Sequence, residues 1–515
     1  MKTYSDYMDE ISKEVLYNKL LAYGLFSEKL PPIFDSTLFA DFCEKDPAFN
    51  SNRDYDYVRF DAMRNINIPR QIGIPVPMAY ERLCKVLRDH WSDIQNHFRE
   101  KTKNQKDYVI SRIHLQLRKT SPELFVMNYD DWRNGGSPSD DLIIGNRFMV
   151  EVDISNCFSS IYTHSISWAL VGKKTAKESK KTVKNSPKMA NEGKEQDLWY
   201  DTLDKACRNM KWQETKGILI GPHASNLISE IILTAIDCEL YENYKYIRHI
   251  DDYTCYVKSE EEATYFIQAL ECELEKFDLH LNYKKTKISR LPNAGVADWV
   301  GKLNQLGLLY TNRIIGYKDI RGFFSSLIDL VHRNNDDAAI LKYAVKMMSK
   351  FEMSDGAKTY SWKMWMQLCL LYPYLVSLMD SFVFKPFHTP QEKIEVFANR
   401  AYELGKEYRN YEECCYALLL AIDYNFKISQ SVEEGISAVD NCLYKLVAAI
   451  YCKKYDKTAF NGLKALAQQL QSDDMDRNWP FVYEMLKLGD FDNDDDWRKL
   501  KKARVSFLRE PYRIK

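Results

Sequence analysis

The stretch RHIDDYTCYV, Arg248 to Val257, sets Asp251 and Asp252 side by side between two β-prone runs, YKYI before and YTCYV after. Adjacent carboxylates repel. A chain that makes a hairpin here must leave the pair in open water or hold a cation against it. On local sequence alone a solvated Asp-Asp turn satisfies that demand, because aspartate is a common turn former. A third acid sharpens the question. The run NRFMVEVDI alternates apolar side chains at Phe148, Val150 and Val152 and ends on Asp153. If that strand end lies beside the Asp-Asp turn, three carboxylates converge. Hard oxygen donors in that number suit Mg2+, with Mn2+ able to substitute. A pair of such ions activates a hydroxyl and stabilises a departing pyrophosphate.

The rest of the chain supplies the frame. At 515 residues it is long enough for two or three domains. Its net charge of -1 gives no global basic field, so any nucleic-acid contact must come from local patches. The start MKTYSDYMDE lacks a basic-then-apolar signal pattern, and no apolar run is long enough to span a membrane. The 12 cysteines are scattered without CxxC pairs, which suits reduced thiols in the cytoplasm.

Residues 1–65 read as a helical start that becomes irregular around Pro31 and Pro32. IPRQIGIPVP reads as extended chain leading into a helix with Leu83, Val86, Leu87 and Ile94 on one side. YVISRIHLQL and LFVMNY read as a hairpin with a basic tip. The lysine-rich tract 172–188 reads as a loop or mobile insertion, either a solvated face or a phosphate contact. GPHASNLISEIILTAIDCEL reads as a long helix opened by Gly221 and Pro222. LHLNYKKTKISR reads as another strand region. From about residue 306 the pattern turns helical to the end, with Ile394, Phe397, Ala398 and Ala401 at helical spacing. Short connectors suggest stacked helical hairpins. Acidic and basic residues nearly balance there. The cluster DFDNDDDW, 490–497, reads as a solvated acidic patch.

Four segments in order resemble the palm of a reverse transcriptase: VEVDISNCF, GILIGPHASN, HIDDY and LNYKKTKI. FSSIYTHSISWAL and the SEI after the second segment are similar to bacterial abortive-infection, or defence-associated, reverse transcriptases. The resemblance implies an α+β fold, with fingers and palm at 66–305 behind the 1–65 extension. An all-α, helical-repeat-like domain at 306–515 would replace an ordinary thumb. It implies that Asp153 and Asp251 ligate both Mg2+ ions with the Ile154 carbonyl, that Asp252 completes the acidic cluster, and that Lys285 protonates pyrophosphate. Phe158 resembles the gate that excludes a 2′-hydroxyl, against a plainer reading as core packing. Arg112 and Lys119, with Arg118 as a rival to the latter, would hold the triphosphate. Gly221 and Ser225 would line the nucleotide. His249 stands where the box usually begins with Tyr, and Leu219-Ile220-Gly221 where Pro-Gln-Gly is usual.

The implied partners are dNTPs and a single-stranded DNA product, with RNA as an alternative partner, no membrane, and further copies of the chain. The implied activity is template-independent, protein-primed DNA synthesis in anti-phage defence. The alternatives are a retron-like or mobile-element reverse transcriptase that copies RNA, and a dead palm serving as a scaffold.

Overall fold

A computed structural model describes residues 4–45, 49, 53–66, 68–103, 114–115, 125–126, 138–184, 198–292, 298–309 and 313–514. The fold is α+β, with the strands gathered in the first 290 residues and a helical second half. β1 (Tyr57–Asn65) and β2 (Ile68–Pro75) form an antiparallel hairpin, and the boundary expected at 65/66 falls in its turn. β3 (His114–Leu115) pairs with β4 (Phe125–Val126), the described part of the expected basic-tipped hairpin. The palm sheet holds β5 (Phe148–Asp153), β6 (Tyr246–His249), β7 (Asp252–Val257) and β8 (Lys287–Arg290), all antiparallel, in the order β6-β7-β5-β8.

Behind this sheet runs the helix His223–Leu240. Its residues are buried almost all round, as a helix must be when it lies between a sheet and other helices. Pro222 precedes it in extended geometry, so the expected Gly-Pro start is where the helix begins. The helix Glu260–Glu275 covers β5 and β7, with Ser259 accepting the Glu262 N–H at its start.

In the second half, successive helices pack as neighbours: Gln391–Glu407 on Tyr411–Asp423, that on Cys442–Tyr455, and that on Lys457–Asp473 and Met475–Met485. Each sharp start has a side-chain cap, at Asn410, Asn441, Asp456 and Asp474. The helical half is not a separate body. One continuous apolar core runs from Met8 through the palm to Leu508. Residues 505–509 return to the N-terminal segment, where the Phe507 carbonyl accepts the Asp35 N–H (2.9 Å) and Arg509 N–H donates to Ile33 (2.8 Å). Phe507 packs against Phe26, Phe39 and Trp479.

Some expectations are corrected. The lysine-rich tract is not a loop over its first part, because Lys173–Lys184 is helical. The acidic cluster is not simply solvated. Asp494 caps the helix Asp495–Lys502, and Asp496 and Trp497 are buried. All twelve cysteines are unpaired. No helix among the described residues is long and apolar enough to cross a membrane.

Candidate active site

β6 and β7 are joined by only Ile250 and Asp251, with Asp252 opening β7. So tight a turn needs left-handed backbone, and Ile250 adopts it at φ +55°. A β-branched residue pays steric strain there, which persists only when its surroundings hold it. Arg248 does the holding. It is fully buried, and its guanidinium donates to the Ile250 carbonyl at 2.9 Å. The same group binds Glu230 at 2.9 and 3.1 Å and Asp237 at 2.7 and 2.8 Å, both on the helix His223–Leu240. Tyr246 hydroxyl donates to Asp237 at 2.8 Å. The Asp-Asp turn is thus anchored through a buried ion cluster to the helix behind the sheet.

The register brings the acids together. Asp153 at the end of β5 lies opposite Asp252, and the Ile154 N–H donates to the Asp251 carbonyl at 3.2 Å. Asp153 is buried and held from the LNYKK segment. Asn282 Nδ2 donates to its carboxylate at 2.9 Å, and Asn282 N–H to its backbone oxygen at 2.7 Å. Lys285 Nζ reaches both carboxylate oxygens, at 3.0 and 3.1 Å. Burial first, and then Asp251 and Asp153, push Asp252 up to about 7, although solvent reaches its outer side. Burial and the charge of Asp153 raise Asp251, against the pull of Lys285 and Arg70.

Among the described residues no three His, Cys, Asp or Glu side chains form a ready-made metal cluster. The donor chemistry nonetheless fits a hard divalent ion. Burial and neighbouring carboxylates hold Asp251 and Asp252 toward protonation, and a divalent cation would relieve that. Lys285 occupies the Asp153 oxygens as a stand-in positive charge.

Residues 78–310 match the family described as "Reverse transcriptase (RNA-dependent DNA polymerase)". The chain carries a reverse transcriptase domain. No curated protein matches the sequence. Among solved structures, similarity extends to apo telomerase from Candida tropicalis, at 12% identity and TM-score 0.31, covering 83% of this chain and 73% of that one. The same enzyme truncated from its C-terminal domain gives 11% identity and TM-score 0.27, covering 50% of this chain and 55% of that one, so the match spans about half the length of the truncated enzyme. Candida albicans telomerase in complex with the TWJ fragment of telomeric RNA gives 10% identity and TM-score 0.27, covering 80% and 64%.

Within the reverse transcriptase domain, Phe158 is half-buried in the short helix Cys157–Ser160, and its carbonyl accepts the Ile218 N–H at 2.8 Å. That places it beside the 217–221 segment. Gly221 has φ +130°, and a Cβ there would stand 2.9 Å from Ile72 Cγ2 and 3.2 Å from the Gly73 carbonyl. Only glycine lets the segment lie so close to β2, whose Gly73 N–H donates to Ile220 at 2.8 Å. Ser225 is 2% exposed, inside the helix His223–Leu240. Arg112 and Lys119 lie outside the described residues. His223 is buried, and burial lowers its pKa, consistent with packing.

Two groups at the site are not singled out by the sequence patterns above. Asn282 has a signal there, as the first residue of the Asn-x-x-Lys-Thr run. Arg70 of β2 lies within electrostatic reach of Asp251, and its only sequence signal is the single cation in a strand whose other residues, apart from Gln71, are apolar or glycine.

Proposed function

We propose that this chain is a DNA polymerase that adds dNTPs to a hydroxyl at Asp153, Asp251 and Asp252. The observation that carries the reading is the register of Asp153 opposite Asp252, beside a strained turn anchored by Arg248. Asp153 and Asp251 would hold two Mg2+ ions with the Ile154 carbonyl, and Asp252 would complete the acidic set. Bound there, the ions supply acidification of the attacking hydroxyl and charge neutralisation on pyrophosphate. Lys285 then leaves the Asp153 oxygens, and its Nζ proton is available to the departing pyrophosphate. Arg70 faces the same place and suits the triphosphate; Arg112 and Lys119 are proposed for the same task. Phe158 lies under the sugar.

The setting rests on the resemblance to abortive-infection enzymes. It supports anti-phage defence, synthesis without template, and priming from a hydroxyl of the protein itself. The near balance of charge in the helical half agrees, because a duplex clamp needs many cations. We assign the helical half to assembly of a homo-oligomer and handling of the single-stranded product. A monomer by mass photometry at micromolar concentration would count against the assembly role.

The test is incubation of purified protein with each radioactive dNTP and Mg2+, with and without added template, followed by a denaturing protein gel. Label should stay on the protein, resist removal until nuclease or protease is added, and vanish in Asp153→Ala and Asp251→Ala. Incorporation only when RNA template is supplied would favour the retron-like reading instead, and near wild-type incorporation by either variant would refute the site.

A further inference from the structure

Four cations from three stretches of chain lie within electrostatic reach of one another, and one of them, Arg70, also reaches Asp251 of the Asp-Asp turn. Lys29 comes from the N-terminal segment, Arg64 and Arg70 from the β1–β2 hairpin, and Lys342 from the helix Ala338–Met348 of the helical half. Two bonds pin the hairpin to that half. Lys342 Nζ donates to the Arg64 carbonyl at 2.9 Å, and the Met63 N–H donates to the Glu412 carboxylate at 2.6 Å. Lys342 Nζ also sits 4.8 Å from the ring centre of Tyr374.

Arg64 acts on the other three. Burial, then Arg70 and Arg64, lower Lys29, with Glu28 opposing. Burial, then Arg64, lower Arg70, with Asp251 and Glu28 opposing. Burial lowers Lys342, with Glu412 opposing and Arg70, Arg64 and Lys29 adding to the fall. The acids in range are therefore Glu28, Asp251 and Glu412. Glu412 is engaged by the Met63 N–H, and Asp251 belongs to the catalytic turn. Among the described residues, no carboxylate comes within ion-pair distance of any of the four cations. Like charges held this close are costly unless an anion joins them.

We propose that Lys342 of the helical half acts with Lys29, Arg64 and Arg70 to bind phosphate oxyanions next to the catalytic turn. The polymerase site is then incomplete without the helical half. This rests on, and deepens, the polymerase reading. Phosphate oxyanions come from two sources, the triphosphate of an incoming nucleotide and the backbone of a single strand.

Lys342→Gln removes the charge but keeps a donor for the Arg64 carbonyl. Among the described residues the Lys29 side chain makes no hydrogen bond to the hairpin or the helical half, so Lys29→Gln removes a charge there and no bond. One arm measures binding of a fluorescent oligodeoxythymidylate to the full chain in EDTA across a salt series. The other measures KM for dNTP in the incorporation assay. For a strand, each variant should bind several-fold more weakly at low salt, with a slope of log affinity against log salt smaller by about 0.7. For a triphosphate, KM should rise several-fold with strand binding intact. Lys342→Arg should restore whichever effect is seen. Both variants matching wild type in both arms would overturn the proposal. So would a Lys342→Ala defect that Lys342→Gln fully repairs, since that marks a structural bond alone. Strand binding in EDTA needs no turnover. A wild-type protein that incorporates nothing, yet shows the slope change, would sink the polymerase reading and leave this one standing.

Discussion

At the scale of single residues, Phe158 gives the sharpest expectation. Its backbone is bonded to the 217–221 segment from a helix of one turn, and a bulky side chain there would exclude volume rather than make a bond. Phe158→Val should therefore admit ribonucleotides, with discrimination between dNTP and NTP falling by about tenfold or more, the scale a pocket gains from small steric differences. The ratio of kcat/KM for the two substrates is the measurement, and a wild-type enzyme that uses both equally refutes the gate. The acidic residues are legible in the sequence because a strand-end Asp meets a hairpin Asp-Asp whenever its strand pairs beside that hairpin, as β5 does with β7. The setting of Ser225 is not, because its position in the motif says nothing about how closely the helix that carries it is covered. Arg70 is silent in the sequence because its role depends on a fold-back between β2 and the palm that no local pattern announces.

At the scale of elements, the hairpin β6–β7 is only as firm as its anchor. Arg248→Met would leave Glu230 and Asp237 buried without their cation, a loss of about 3–5 kcal/mol. Replacing all three by apolar residues of similar volume should recover most of the stability, since buried ion clusters are often no better than packed hydrocarbon. The triple variant would still lack the bond to the Ile250 carbonyl, so its kcat should stay depressed at least tenfold with KM for dNTP little changed. Recovery of Tm together with recovery of kcat would show that Arg248 only stabilises. Helices of the second half are readable from apolar periodicity, whereas their starts depend on the caps at Asn410, Asn441 and Asp456, which that periodicity does not mark. The helix over Lys173–Lys184 is not readable in this way, because Ala176 and Val183 are the sole apolar residues in its sequence, too few to reveal a period.

At the scale of the whole molecule, the helical half meets the β1–β2 hairpin at a cavity of about 480 Å3, and two acids stand at that junction. Burial first pushes Glu412 up to about 7 and Glu413 up to about 8, with the Glu413 Oε1 left without a hydrogen bond. The folded state keeps protons that the unfolded chain has already lost above about 4.5. Stability should therefore fall as pH rises from about 5 to about 8, and level off above. Glu413→Gln should flatten that fall and raise Tm at pH 8 while changing little at pH 5; a Tm profile unaltered by the substitution would refute it. The return of residues 505–509 onto Ile33 and Asp35 has a consequence in time. Bonds span 475 positions of sequence, from Arg509 to the Phe34 carbonyl. At about 5–20 residues per second of synthesis, roughly half a minute to a minute and a half separates the two sides of that contact leaving the ribosome. A growing chain thus carries its palm acids for much of that interval before the segment that packs against Ile33, Phe34 and Asp35 exists.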